Sequence, residues 1–265
     1  MAKFQKKNRD AVITAIVIGF AVLVVAAIVA TVLLFPKDDA RRDEQPEQIE
    51  RTNAEAFLFE IPGFTLTEDA QIGTVNDQLR VIGAGSYTGP YMEDGSDEAV
   101  ADVLAIVVQN ISEEWVENAD LTLDCGGDTA QFSVSALPGS TCALLLESNR
   151  LAFEDDMTLR NPVCVFCAND MTGKNVDFSE DFSLQPYEGD ILVLQNISGH
   201  EFTGDVVLYY KNVAPYGKSG ELLYLGGIAY ANRFEGPIAV NDMRQVKPSH
   251  YTLGGSAILF MSYDS

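Results

Sequence analysis

Apolar and polar positions change rhythm twice along this chain. From Ala11 to Phe35, AVITAIVIGFAVLVVAAIVATVLLF, no residue carries a charge. As a helix this run measures ~37 Å at 1.5 Å per residue, enough to span a bilayer with some tilt. Its β-branched residues disfavour a helix in water, but in lipid only a helix satisfies its own backbone hydrogen bonds. Residues 36–56, PKDDARRDEQPEQIERTNAEA, are charged, contain two prolines and read as a tether. Beyond it come short apolar or alternating runs broken by Gly, Asn, Asp, Ser and Pro, the period of strands and turns. The runs predict strands at 57–61, 78–84, 101–109, 119–125, 129–136 and 142–148, and again at 162–168, 190–196, 204–212, 220–231, 236–242 and 257–263. No stretch in this part keeps a sustained helical period. The expected fold class is therefore all-β, two tandem immunoglobulin-like β-sandwich domains preceded by a single N-terminal transmembrane helix.

The two-domain reading rests on a repeat. VVQNIS (107–112) and VLQNIS (193–198) place Asn110 and Asn196 at the ends of apolar strands. Upstream lies a strand in each case, RVIGA (80–84) or VCVFCA (163–168). Downstream come a polar bend with Trp115 or Phe202, an alternating strand (ADLTL or DVVLY), and a turn with an apolar strand, LPGSTCALLL (137–146) or LGGSAILFM (253–261). The expected divisions are a basic tail (1–10), the membrane helix (11–35), the tether (36–56), a first sandwich (57–155) and a second sandwich (156–265). The second carries an extra hairpin near 216–237.

Charge sharpens this picture. The 265 residues include 17 basic and 39 acidic ones. Four basic residues and one acidic residue fall in 1–10 and none in 11–35, so 13 basic and 38 acidic remain, a net of −25 over 36–265. Such a field repels nucleic acid, and nucleic-acid binding is excluded. Lys3, Lys6, Lys7 and Arg9 precede the apolar run, against Lys37, Arg41 and Arg42 after it. The positive-inside rule places the N-terminus in the cytoplasm and residues 36–265 outside. The run exceeds the apolar region of a cleaved leader and no cysteine precedes Cys125, so it reads as an uncleaved signal anchor.

QNISGHEFTGDVVLYYKN, residues 195–212, resembles extracytoplasmic sandwich domains of the FxLYD type, in which an apolar strand ends in Asn, a polar bend follows and a V-x-L-Y strand comes next. The likeness covers about 20 residues, and the first repeat departs from it with ADLTLDC. A basic N-terminus, one span and acidic sandwiches together are similar to membrane-anchored surface proteins of Gram-positive bacteria. These resemblances imply an accessory or binding role without catalysis.

Candidate chemistry is sparse. Cys125 ends one predicted strand and Cys142 begins another, a spacing compatible with a disulfide outside the cell. Cys164 and Cys167 form CVFC in a strand-like run, not at a helix N-terminus that would activate a thiol. Spacing with the other pair does not match a common zinc site. In a regular strand, positions three apart face opposite sides, so CVFC reads as buried thiols or as a bond made through a bulge. His200 and His250 fall in turns without assigned partners, and no nucleophile, phosphate-loop or metalloprotease motif appears. EDGSDE (93–98) and the acidic stretch 177–182 lack EF-hand ligand spacing and read as solvated loops. Asn110 and Asn196 satisfy the glycosylation rule in a eukaryotic secretory pathway. Their position at strand ends also suits Asn and Ser for local backbone hydrogen bonds. Trp115 is expected to plug a sandwich end or to join a partner-contact surface. The surface itself is assigned to the aromatic-rich insertion, Tyr216, Tyr224, Tyr230 and Phe234.

The sequence thus predicts a non-enzymatic, single-pass membrane protein. It needs no cofactor or metal, touches lipid through residues 11–35, and binds another protein or a cell-envelope component. An envelope sensor or accessory subunit of a secretion or wall machine is the alternative. A hydrolase or thiol oxidoreductase comes third.

Overall fold

A computed structural model describes residues 61–67, 73–216 and 221–264. The expected basic tail, membrane helix and tether lie outside the described residues. Among the described residues no helix is long and apolar enough to cross a membrane. All described residues belong to one unit of the chain, Glu50–Ser265.

This part is all-β. Its strands are β1 (Phe64–Leu66), β2 (Gly73–Thr74), β3 (Leu79–Pro90), β4 (Ala99–Asn110), β5 (Val116–Cys125), β6 (Asp128–Leu137), β7 (Cys142–Leu146) and β8 (Leu159–Ala168). There follow β9 (Phe182–Pro186), β10 (Leu192–Asn196), β11 (Val206–Tyr216), β12 (Glu221–Leu225), β13 (Tyr230–Phe234), β14 (Met243–Val246) and β15 (Ser256–Ser262).

Two six-strand sets share one plan. In the first, β3, β4 and β7 are neighbours in one sheet, and β6, β5 and β8 form another. In the second, β9, β10 and β14 form one sheet, while β13 and β15 flank β11. Register agrees as well as order. Leu79 pairs with Asn110 as Phe182 pairs with Asn196, and Gln109 pairs with Cys142 as Gln195 pairs with Met243. The strand equivalent to β3 is therefore β9, not the 163–168 run taken from the sequence. The closing turn equivalent to 137–142 is 238–243, not 253–261. The 163–168 run lies in β8, C-terminal to the expected 155/156 division, yet β8 is hydrogen-bonded to β5 of the first set. The second set opens at β9.

Each set closes on its own apolar layer. Leu104, Ile106 and Val108 of β4 and Leu145 of β7 pack against Leu121, Leu123, Phe132 and Val134. In the second set Phe182, Leu192 and Leu194 meet Val206, Leu208, Tyr210 and Met261. The odd residues of β4, Val103, Ala105 and Val107, join Phe64, Tyr87, Leu144, Tyr216 and Leu223 on the other face of the same sheet. All five residues of β7 are buried for this reason. A strand covered on both faces reads as a continuous apolar run, as CALLL does.

The sets are joined by β12. It hydrogen-bonds β11 antiparallel and β7 in parallel, Leu223 opposite Cys142 and Leu225 opposite Leu144. Leu259 and Phe260 of β15, with Tyr224 of β12, also enter the first core.

Candidate functional site

Three places concentrate polar or unusual chemistry: the two QNIS corners, the junction around Gly227, and strand β8.

At the first corner Asn110 is fully buried. Its Nδ2 donates to the carbonyls of Glu114 (2.8 Å), Pro138 (3.1 Å) and Leu137 (3.4 Å), and its Oδ1 accepts from the Ser112 N–H (3.1 Å) and hydroxyl (2.8 Å). At the second corner Asn196 Nδ2 donates to His200 (2.9 Å), Ile238 (3.1 Å) and Ala239 (3.2 Å), and Oδ1 accepts from the Ser198 N–H (2.9 Å) and hydroxyl (2.7 Å). Ser140 and Asn241, both at positive φ, turn the chain at equivalent points. A buried amide with every lone pair and proton engaged is an internal strut. In the folded protein neither Nδ2 faces solvent, so the structure places both glycosylation candidates inside these corners.

The junction is built from a buried lysine and a half-buried glutamate. Lys211 on β11 is 0 % exposed, and its Nζ donates to Ser135 O (2.8 Å) and Gly227 O (2.9 Å). Glu93, in the β3–β4 loop, accepts from Leu146 N–H (2.7 Å) and Gly227 N–H (2.6 Å). Burial raises the Glu93 carboxyl to about 7, opposed by those two N–H donors and by Lys211. Burial lowers the Lys211 ammonium to about 7, opposed by Glu93. Gly227 serves both groups and also accepts from Ser135 N–H (2.7 Å). A Cβ at this position would stand 1.8 Å from Ser133 O, so only glycine permits the approach.

The other carboxylates of the EDGSDE loop are each engaged as well. Asp94 and Glu98 both hold Arg150, at 2.8 and 2.6 Å, and Arg150 lies 4.4 Å over the Tyr91 ring. Asp97 meets His250 Nδ1 at 2.9 Å. The loop is thus a clamp across the two strand sets. Among the described residues no group of three or more His, Cys, Asp or Glu could hold a metal ion. A cleft of about 540 Å³ opens beside it, lined by Tyr91, Glu93, Asp120, Ser133, Arg150 and Gly227 among others. Ser133 donates to Asp120 (2.7 Å) there. The His200 ring lies tilted against Phe202 and the His250 ring stacks on Tyr230; Ser198 bonds only the backbone of His200, not its imidazole.

The aromatic insertion does not present the expected contact surface. Tyr216, Tyr224, Tyr230 and Phe234 are each less than a tenth exposed. Tyr216 donates to Cys142 Sγ (3.3 Å), and Tyr230 stacks on Tyr210 and His250. Apolar neighbours on both sides of the junction pull these rings inward. Trp115 packs edge-to-face on Phe260, 6.0 Å between centroids, as a plug against the first core.

All four cysteines are free thiols. Cys125 faces the first core and Cys142 the opposite face of the β4–β7 sheet, so the two do not form the expected bond. Cys164 and Cys167 lie on β8, where the ladder to β5 skips one residue: Leu121 pairs with Cys164 and Asp120 with Phe166. This bulge turns Cys164 and Cys167 to the same inner face, against the first core. It also leaves Val163, Val165 and Phe166 outward, at 50, 65 and 52 % exposed.

No protein-family model, curated protein or solved structure matches this chain.

Proposed function

We propose that this protein is a single-pass, membrane-anchored, extracytoplasmic binding protein without catalytic activity. Residues 11–35 are its anchor, and two tandem immunoglobulin-like sandwiches display its binding edge. The observation that carries the reading is β8. Among the described residues, β8 has a strand partner on one side only within its sheet. Its 162–168 run holds no charged residue and turns three large apolar side chains to solvent. Natural edge strands are usually blunted by charge or cover. The equivalent strand β15 follows that rule, because Asn175 bonds Met261 through both backbone groups along it. An open apolar edge beside a covered counterpart is suited to receive an extended segment of a partner protein, which adds as a further strand.

Proximity labelling of the full-length protein in its native membrane tests this, with Val165→Lys/Phe166→Lys as the comparison. The double variant should lose the principal labelled neighbour while keeping its membrane level. A labelling profile identical to wild type refutes the β8 assignment. External protease on intact cells should digest the part after residue 56, and complete protection would reverse the proposed topology.

A further inference from the structure

The outer face of the β6–β5–β8 sheet is ordered in cross-strand rows, because residues paired across a ladder point to the same side. Ser133 pairs with Asp120, and Asp120 with Phe166, so one row runs from the cleft beside β6 to the open edge of β8. The next row is Gln131, Thr122 and Val163, and the one after it Thr129, Asp124 and Arg160. The face is thus polar on β6, acidic on β5 and apolar along the Val163–Phe166 part of β8. Val165 is the residue that the ladder to β5 skips, and it stands exposed next to Phe166.

The two carboxylates of this face differ in what they already hold. Asp124 accepts from Asn161 Nδ2 (2.8 Å) and has Arg160 as its cross-strand neighbour. Asp120 accepts from the Ser133 hydroxyl (2.7 Å) through Oδ1, and its neighbours in the row are Ser133 and Phe166. Among the described residues the ion pairs all lie elsewhere, so Asp120 is an exposed carboxylate, fixed through one oxygen, that faces no cation of its own chain. A strand added to β8 continues this row beyond Phe166. Strands lie ~4.8 Å apart, which puts the added residue ~10 Å from Asp120 with the Phe166 ring between them. A short side chain does not cover that span. A lysine or arginine does, because its apolar stem can lie along apolar surface while its charged head stays in water. A cation over an aromatic face is also attracted to it. The net charge of −25 over 36–265 favours such a segment over an acidic one.

We propose that the partner segment added at β8 carries a lysine or arginine opposite Phe166, with its stem across the ring and its head on Asp120. Side chains alternate along a strand, so the residue two positions away faces Val163 and is apolar. This assignment rests on the reading of β8 as a partner-binding edge and adds the chemistry that its occupant must bring.

The full-length protein in detergent is used to select from a library of short randomised peptides. Peptides retained by wild type and lost by Val165→Lys/Phe166→Lys are edge ligands. They should be enriched in lysine or arginine at one position and in apolar residues two positions away. The best of them is then synthesised alongside a counterpart with glutamate in place of the cation. Asp120→Asn should weaken binding of the basic peptide about fivefold, as befits one exposed ion pair with a cation–π contact. Asp120→Lys should reject the basic peptide and accept the glutamate counterpart, a reversal that a merely structural role of Asp120 does not produce. Asp120 is exposed, so both variants should melt close to wild type. Edge ligands without basic enrichment, or equal affinity of the basic peptide for wild type and Asp120→Lys, overturn the Asp120 assignment and leave the open edge standing. If no peptide distinguishes wild type from Val165→Lys/Phe166→Lys, the edge reading and this assignment both fall.

Discussion

Asn110 and Asn196 show how much one side chain can organise. Each ties a strand end, the following bend and the turn 27 or 42 residues later through carbonyls that have few alternatives once buried. Truncation to alanine strands those carbonyls, and each unsatisfied buried group costs ~1–3 kcal/mol. Asn110→Ala and Asn196→Ala should each lower stability in urea denaturation by about 3 kcal/mol, and Ser112→Ala by about 1 kcal/mol. Equal, negligible losses would show that water fills the corner without cost. Lys211 and Glu93 pose a different residue-scale problem, because burial opposes both charges. Glu93 titrates near 7 when folded against 4.5 as its ordinary value, so the folded state holds the extra proton in between and stability falls as pH rises through that window. Lys211 titrates near 7 against 10.5, so the unfolded state holds the extra proton and stability rises from about 7 toward 10.5. The pair contributes a minimum near neutrality. Melting curves of Lys211→Met should lose the alkaline rise attributable to this lysine and keep the acid-side fall. An unchanged alkaline limb would mean that Lys211 keeps its ordinary affinity for protons.

Elements were legible where the pattern is local. The alternation in 129–136 and the apolar runs of β4, β7 and β10 announce strands, and the Asn–Ser corners announce their ends. Strand β9, FSLQP, was not legible, since only Phe182 is fully buried and Leu184 is its one other apolar side chain before the proline. Nor was β14, MRQV, whose four residues leave no apolar face. The β8 bulge hides in CVFC because one skipped pairing reverses which residues face the core. Most opaque was β12: its parallel pairing joins Cys142 to Leu223, and no short-range period encodes so distant a partner. Aromatic residues nearby therefore resembled a contact surface although they are buried. Replacing 221–225 by a Gly/Ser linker should bare the second edge of β7. Amide exchange at Cys142–Leu146 should then rise by orders of magnitude while the β9–β10 ladder keeps its protection. Unaltered protection of β7 would show that β12 is dispensable to it.

At the scale of the whole chain, the two sets are stitched rather than merely linked. The first core includes Leu259 and Phe260 from the last strand, so it is completed only by residues near the C-terminus. The Glu93–Gly227–Lys211 junction and the Asp97–His250 contact bind the same two sets at other points. A net charge of −25 over 36–265 works against compaction through self-repulsion, while it keeps the apolar edge of β8 from nucleating self-association. A partner strand added at β8, as proposed, must therefore tolerate a strongly acidic neighbourhood.

The parallel seam also sets a clock. Cys142 and Leu223 are 81 positions apart, and at ~5–20 residues per second of synthesis the edge of β7 stands without its neighbour for roughly 4–16 s. During that interval an all-apolar strand is bare on a growing chain, so the nascent first half is the form of this molecule in greatest need of a chaperone.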